Sequence, residues 1–200
     1  MPNWCYTDYT IFGQDENVRK AHDVVQEALN TVYVETSSEG WLGNLLYYFG
    51  EYKECETFID QLKYGCRGFV QDIGDVVVGS DESSFSISVE DAWGPHEYPI
   101  ANLCRKFDLD YVYYAVEAGN EVYINTDLEG KYYQQQFVLD DFNEYYEYFN
   151  TEKDLLDFVE KTFGRSFDSF EEVSDWADNG FFEDFPDADG LSVHQFEFES

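Results

Sequence analysis

The sequence is short of positive charge. Eleven Lys and Arg stand against 43 Asp and Glu, a formal net charge of −32. With so few bases, no basic stripe and no Gly-rich phosphate loop, direct binding of nucleic acid is excluded as a function class. Potential metal and nucleophile residues are also sparse. The histidines are His22, His96 and His194, and the cysteines Cys5, Cys55, Cys66 and Cys104 form no CxxC pair and lie close to no histidine. That removes the usual zinc spacings and any local Cys–His arrangement. No apolar run approaches the length of a membrane span. The Met-Pro-Asn-Trp opening lacks the basic and apolar regions of a secretory signal. The expectation is a cytoplasmic protein with reduced thiols.

Alanine is scarce, at eight residues, while Phe, Tyr and Trp number 18, 17 and 4. Aromatic residues bury much area each and suit strands, so the composition predicts a sheet-rich fold with a bulky core. Adaptation to high salt would favour small apolar residues, and this composition points the other way. A folded chain of this mass exposes roughly 9,700 Å², or about 300 Å² per net charge, against about 110 Å² per charge on a DNA cylinder. The surface matches nucleic acid only if carboxylates gather on one face. Residues 140–200 carry 19 acids and 3 bases, whereas residues 1–139 carry 24 and 8, so the C-terminal part is about twice as dense in net charge.

Along the chain, Cys5, Thr7, Tyr9 and Ile11 alternate with more polar positions and predict a strand ending at Gly13. Asp15 is the expected cap of a helix carrying Val18, Ala21, Val25, Ala28, Leu29 and Val32 on one face. "ECETFIDQLKYG" suggests a short helix through Phe58, Ile59 and Leu62, and "GFVQDIGDVVVGS" a strand broken at Gly74. "FSISVEDAW" alternates again. Pro99 suits the first turn of a helix that buries Ile100, Leu103, Cys104 and Phe107. "DYVYYAVEAGNEVYINTD" predicts a hairpin and "KYYQQQFVLDDF" an extended segment. Thr151 and Ser169, each with an acid three residues on, predict two capped helices, and "LSVHQFEFES" a closing strand.

This order predicts an α+β fold: a ferredoxin-like antiparallel sheet with packed helices, plus an acidic C-terminal α/β extension. The expected division is a core at 1–139, with an insertion at about 36–68, and an acidic helical extension at 140–200. The opening MPNWC, the segment "FSISVEDAWGPHEYPIANLCRKF" and the strand "YVYYAVEAG" resemble the YubB-like ferredoxin-fold family of plasmid and phage proteins. In the second segment the similarity rests on Ser88, Glu90, Ala92, Trp93, Gly94 and Pro95. The resemblance implies a ferredoxin-like core of mobile-element origin in a bacterial host cell. It implies no activity.

Cys5 is expected to be a core residue, because an acidic field raises a thiol's pKa and no histidine is placed beside it. "DFPDADGLS" offers Asp184, Asp187 and Asp189 as half of a calcium loop, but Phe185 and Phe196 occupy the outer ligand positions. A metal-binding protein or metal-dependent enzyme is therefore the alternative reading, and a phage structural or assembly protein a second one. The leading expectation involves no catalysis and no cofactor. Glu152, Asp157, Glu160, Asp168, Glu171, Glu172, Asp175 and Asp178 fall on short helices, with Tyr145 and Tyr148 as apolar anchors. Such a face fits a basic nucleic-acid-binding host protein, which a mobile element gains from blocking. A CRISPR effector or a restriction enzyme is the expected class.

Overall fold

The computed structural model describes residues 3–35, 38–54, 66–141 and 146–198. The chain forms two compact units, Met1–Val122 and Tyr123–Ser200. Residues 123–139, grouped with the core by sequence, cluster with the second unit. The helix expected through Phe58, Ile59 and Leu62 falls outside the described residues.

In the first unit, β1 (Trp4–Gly13), β2 (Gly68–Ile73), β3 (Val77–Val78), β4 (Ser83–Ala92) and β5 (Asp110–Glu117) join α1 (Asp15–Leu29), α2 (Asn44–Tyr48) and α3 (Glu97–Phe107). The strands lie in the order β5-β1-β4-β2, all neighbours antiparallel, with β3 pairing the start of β4. Period-two alternation places Cys5, Thr7, Tyr9 and Ile11 on one buried face, opposite Asp91, Val89, Ile87 and Phe85. Helices α1 and α3 reach this same face. The His22 ring meets Phe85 edge-on at 5.2 Å, and Glu97 accepts from the hydroxyls of Tyr111 and Tyr113, each at 3.0 Å.

Helix α1 buries Val18, Ala21, Val25, Ala28 and Leu29, the stripe expected from helical spacing. Two details differ. Val32 lies beyond the helix and is 54% exposed. Gln14, not Asp15, is the N-cap. Asp15 instead accepts from Arg19 (3.0 Å) and from Ser83 (2.8 Å), tying the start of the helix to the start of β4. Pro99 stands third in α3, where a missing N–H breaks no helical bond. β2 and β3 are separated around Gly74, as its position in the sequence suggests.

Three segments meet at one end of this sheet. Trp4 pairs with Ala92, the Trp93 amide donates to the Asn3 carbonyl at 2.9 Å, and a Cβ on Gly119 would press on the Asn3 side chain. Trp93 holds φ +70°, a left-handed conformation that a bulky residue rarely adopts, and the Arg67 guanidinium stands 4.5 Å from its ring centroid.

The second unit contains β6 (Val122–Asn125, entering from the first), β7 (Phe137–Asp140), β8 (Tyr146–Phe149), β9 (Ser192–Gln195) and β10 (Glu197–Phe198). Its helices are α4 (Glu152–Phe163), α5 (Phe170–Asn179) and α6 (Phe181–Asp184). β8, β7 and β9 form an antiparallel sheet with fully buried β7 at its centre, and β10 pairs with β6 in parallel. Phe137, Leu139, Leu155, Val159, Val173, Trp176 and Phe181 share one core. Among the described residues no helix is long and apolar enough to cross a membrane.

Candidate acidic interface

Both capped helices of the second unit begin where the sequence places them. The Asp154 amide donates to Thr151 Oγ1 at 3.2 Å and the Glu172 amide to Ser169 Oγ at 3.4 Å. The reciprocal halves differ from a capping box. Thr151 donates its hydroxyl to Asp154 at 2.6 Å, and the Glu172 carboxylate accepts from the amide of Asp168 at 3.0 Å. Glu152 accepts from the amide of Phe170 at 2.7 Å, so the first residue of α4 holds the first of α5.

A helix turns by about 100° per residue, which orders the exposed side chains around each axis. On α4 the exposed arc runs Glu160, Lys153, Asp157, Lys161, Asp154, with bases between acids. Lys153 pairs with Asp157 at 2.7 Å. On α5 the arc runs Asp178, Glu171, Asp175, Asn179, Glu172, with no base. The two helices, grouped together by sequence, are therefore unlike: α4 presents a mixed face and α5 an acidic one. Asp168 is exposed just ahead of α5, and Asp175 accepts from Asn179 at 2.9 Å. Hydrogen bonds from the Glu171 amide and from Ser169 hold the Glu171 carboxyl below its usual range.

Of the expected apolar anchors, Tyr145 lies outside the described residues. Tyr148 is on β8, 38% exposed, with its ring centroid 6.3 Å from that of Tyr146. The acidic loop after α5 is already engaged at its first carboxylate: Asp184 accepts from the Trp176 indole at 3.0 Å and pairs with Arg165. Those two donors hold its carboxyl below the ordinary range. No group of three or more His, Cys, Asp or Glu among the described residues could hold a metal ion.

One feature escaped the sequence. Phe167, Glu172, Asp175, Trp176, Asn179 and Gly180 line a shallow groove of about 380 Å³. The signal for it is the Trp176–Gly180 spacing of one helical turn. A Cβ on Gly180 would stand 2.9 Å from Trp176 Cδ1.

Compared with known proteins, the chain matches no protein family, no curated protein and no solved structure.

Proposed function

We propose that this chain is a non-enzymatic inhibitor carried by a mobile element. Its α5 face occupies a basic groove that otherwise holds nucleic-acid phosphates, in a host defence protein of the CRISPR-effector or restriction-enzyme class. The observation that carries this reading is the base-free face of α5, where four carboxylates share the exposed arc with Asn179 alone. Glu171, Glu172, Asp175 and Asp178 span seven residue steps, about 10.5 Å at a rise of ~1.5 Å per residue. Their mean spacing along the axis is about 3.5 Å, close to the ~3.4 Å between charges on one strand of duplex DNA. On α4, by contrast, Lys153 and Lys161 stand between the acids.

The strand order β5-β1-β4-β2, with α1 and α3 on one face, supports reading the first unit as ferredoxin-like. The meeting of Asn3, Ala92, Trp93 and Gly119 at one sheet end supports the YubB-like resemblance, since it joins the segments that carry it. The inhibitory role rests on the acidic face alone.

The test is capture from bacterial lysate on immobilised protein at low salt, followed by elution with competing duplex DNA or RNA. A nucleic-acid-binding protein should be retained and then displaced. Glu171→Lys with Glu172→Lys and Asp175→Lys should raise its Kd about tenfold or more, equivalent to ~1.4 kcal/mol per decade. Reversing Asp154, Asp157 and Glu160 on α4 should change it less. Recovery of no nucleic-acid-binding protein, or equal sensitivity to both triple reversals, would count decisively against the reading.

A further inference from the structure

We infer that the groove beside α5 receives one arginine side chain of the partner, an assignment that rests on the acidic-face reading and adds a specific contact to it. Two kinds of surface meet there. One wall is aromatic: the Phe167 and Trp176 ring centroids lie 5.2 Å apart, tilted by 41°. The other is carboxylate: Glu172 and Asp175 line the same groove, and neither is paired with a cation among the described residues. Each carboxylate makes one hydrogen bond within the chain, to the Asp168 amide and to the Asn179 side chain. A carboxylate has about four lone-pair sites, so both keep accepting capacity.

The site is built before any partner arrives. The Trp176 indole is fixed by its hydrogen bond to Asp184 and by edge contacts with Phe163 and Phe181 at 5.7 and 5.4 Å. Gly180 lets the chain pass this ring where a Cβ would press on it. A fixed ring loses little freedom on binding. Arginine fits this combination better than lysine. Its planar guanidinium stacks on an aromatic ring while its edge N–H groups reach carboxylates, whereas an ammonium is a compact, strongly hydrated point charge. Basic grooves that hold phosphates supply such arginines.

The experiment titrates the full chain at low salt with a nonapeptide of alternating glycine and arginine, and separately with its lysine counterpart. The readout is the assigned indole N–H resonance of Trp176. The arginine peptide should move that resonance and bind about threefold or more tightly than the lysine peptide, the scale of a cation–π contact. Phe167→Ala should bring the ratio toward one without altering charge, and Phe167→Leu should do the same if the alanine variant fails to fold. Glu172→Gln with Asp175→Asn should weaken both peptides. Equal binding of both with a stationary Trp176 resonance would overturn the groove and leave the acidic face standing. Binding of neither would overturn both.

Discussion

Cys5 alternates into the buried face of β1 with no exposed surface, and its Sγ lies 3.7 Å from the Thr7 hydroxyl. Burial, helped by the charges of Asp91 and Glu117 and only partly offset by Thr7, pushes the thiol up to about 12. Burial does the same to Cys104, also to about 12. An unfolded thiol loses its proton near 9.0. Above that pH the unfolded chain releases protons that the folded chain keeps, so stability is complete below about pH 9 and falls as pH rises toward 12. The expected slope is roughly 1.4 kcal/mol per pH unit for each thiol. Urea melts between pH 8 and 11 should show this decline, and Cys5→Ala with Cys104→Ala should flatten it up to about pH 10, above which the hydroxyls of Tyr9 and Tyr111, also pushed up by burial, add their own decline. In the native protein at pH 8, iodoacetamide should label both thiols at least about a hundredfold more slowly than in the denatured chain. Rapid labelling of Cys5 would show a thiol in contact with water. The strand alternation made this residue's burial legible in the sequence. Its neighbours Asp91 and Glu117 were not, because they stand 86 and 112 residues away on other strands.

The two caps of the second unit follow from side-chain chemistry that acts over three residues, which is why the sequence announced them. Thr151→Ala and Ser169→Ala should each lower stability by about 1 kcal/mol. The double variant should depart from the sum by about 0.5 kcal/mol or more, because Glu152, beside one cap, accepts from the Phe170 amide, beside the other. Thermal or urea unfolding checks both numbers, and a change under a few tenths of a kcal/mol would mean that neighbouring carboxylates take over the cap. Other local signals were overridden by distant partners. Asp15 looked like a cap, yet Ser83 and Arg19 use its carboxylate, and the partner at Ser83 is a tertiary fact. The contrast between α4 and α5 needed the buried arc of each helix, since Leu155 and Val159, or Val173, Trp176 and Ala177, decide which side chains share the exposed arc. The groove needed more still: Phe167 lies in the connection between the helices, and only packing against Trp176 turns it toward Glu172 and Asp175.

For the molecule as a whole, the α+β class with a mostly antiparallel sheet was within reach of sequence, because alternating strands and amphipathic helices in this succession leave few architectures. The division between units was not. The change in charge density at residue 140 suggested a boundary there, but the structural boundary follows contacts, and these place Phe137, Val138 and Leu139 in the sheet of the second unit. Charge composition thus marked a surface property, and packing marked the unit.

Val77 and Val78 stand at the margin of the first unit's sheet, 65% and 61% exposed, on a strand of two residues. An apolar strand margin is a template for another chain, and proteins commonly guard such margins with local charge or proline. Here Asp75, Asp81 and Glu82 flank the strand, and a global guard adds to them. A net charge of −32 keeps copies apart at pH 7, and that repulsion vanishes near the isoelectric point of about 4.1. The chain's colloidal stability is therefore tied to pH more tightly than its fold is. Turbidity followed by light scattering should peak near pH 4.1 while the far-ultraviolet spectrum still reports folded protein. Val77→Lys with Val78→Lys should shrink the peak well beyond the small shift in isoelectric point that two lysines cause. Equal turbidity in both proteins at their own isoelectric points would place the sticking surface elsewhere.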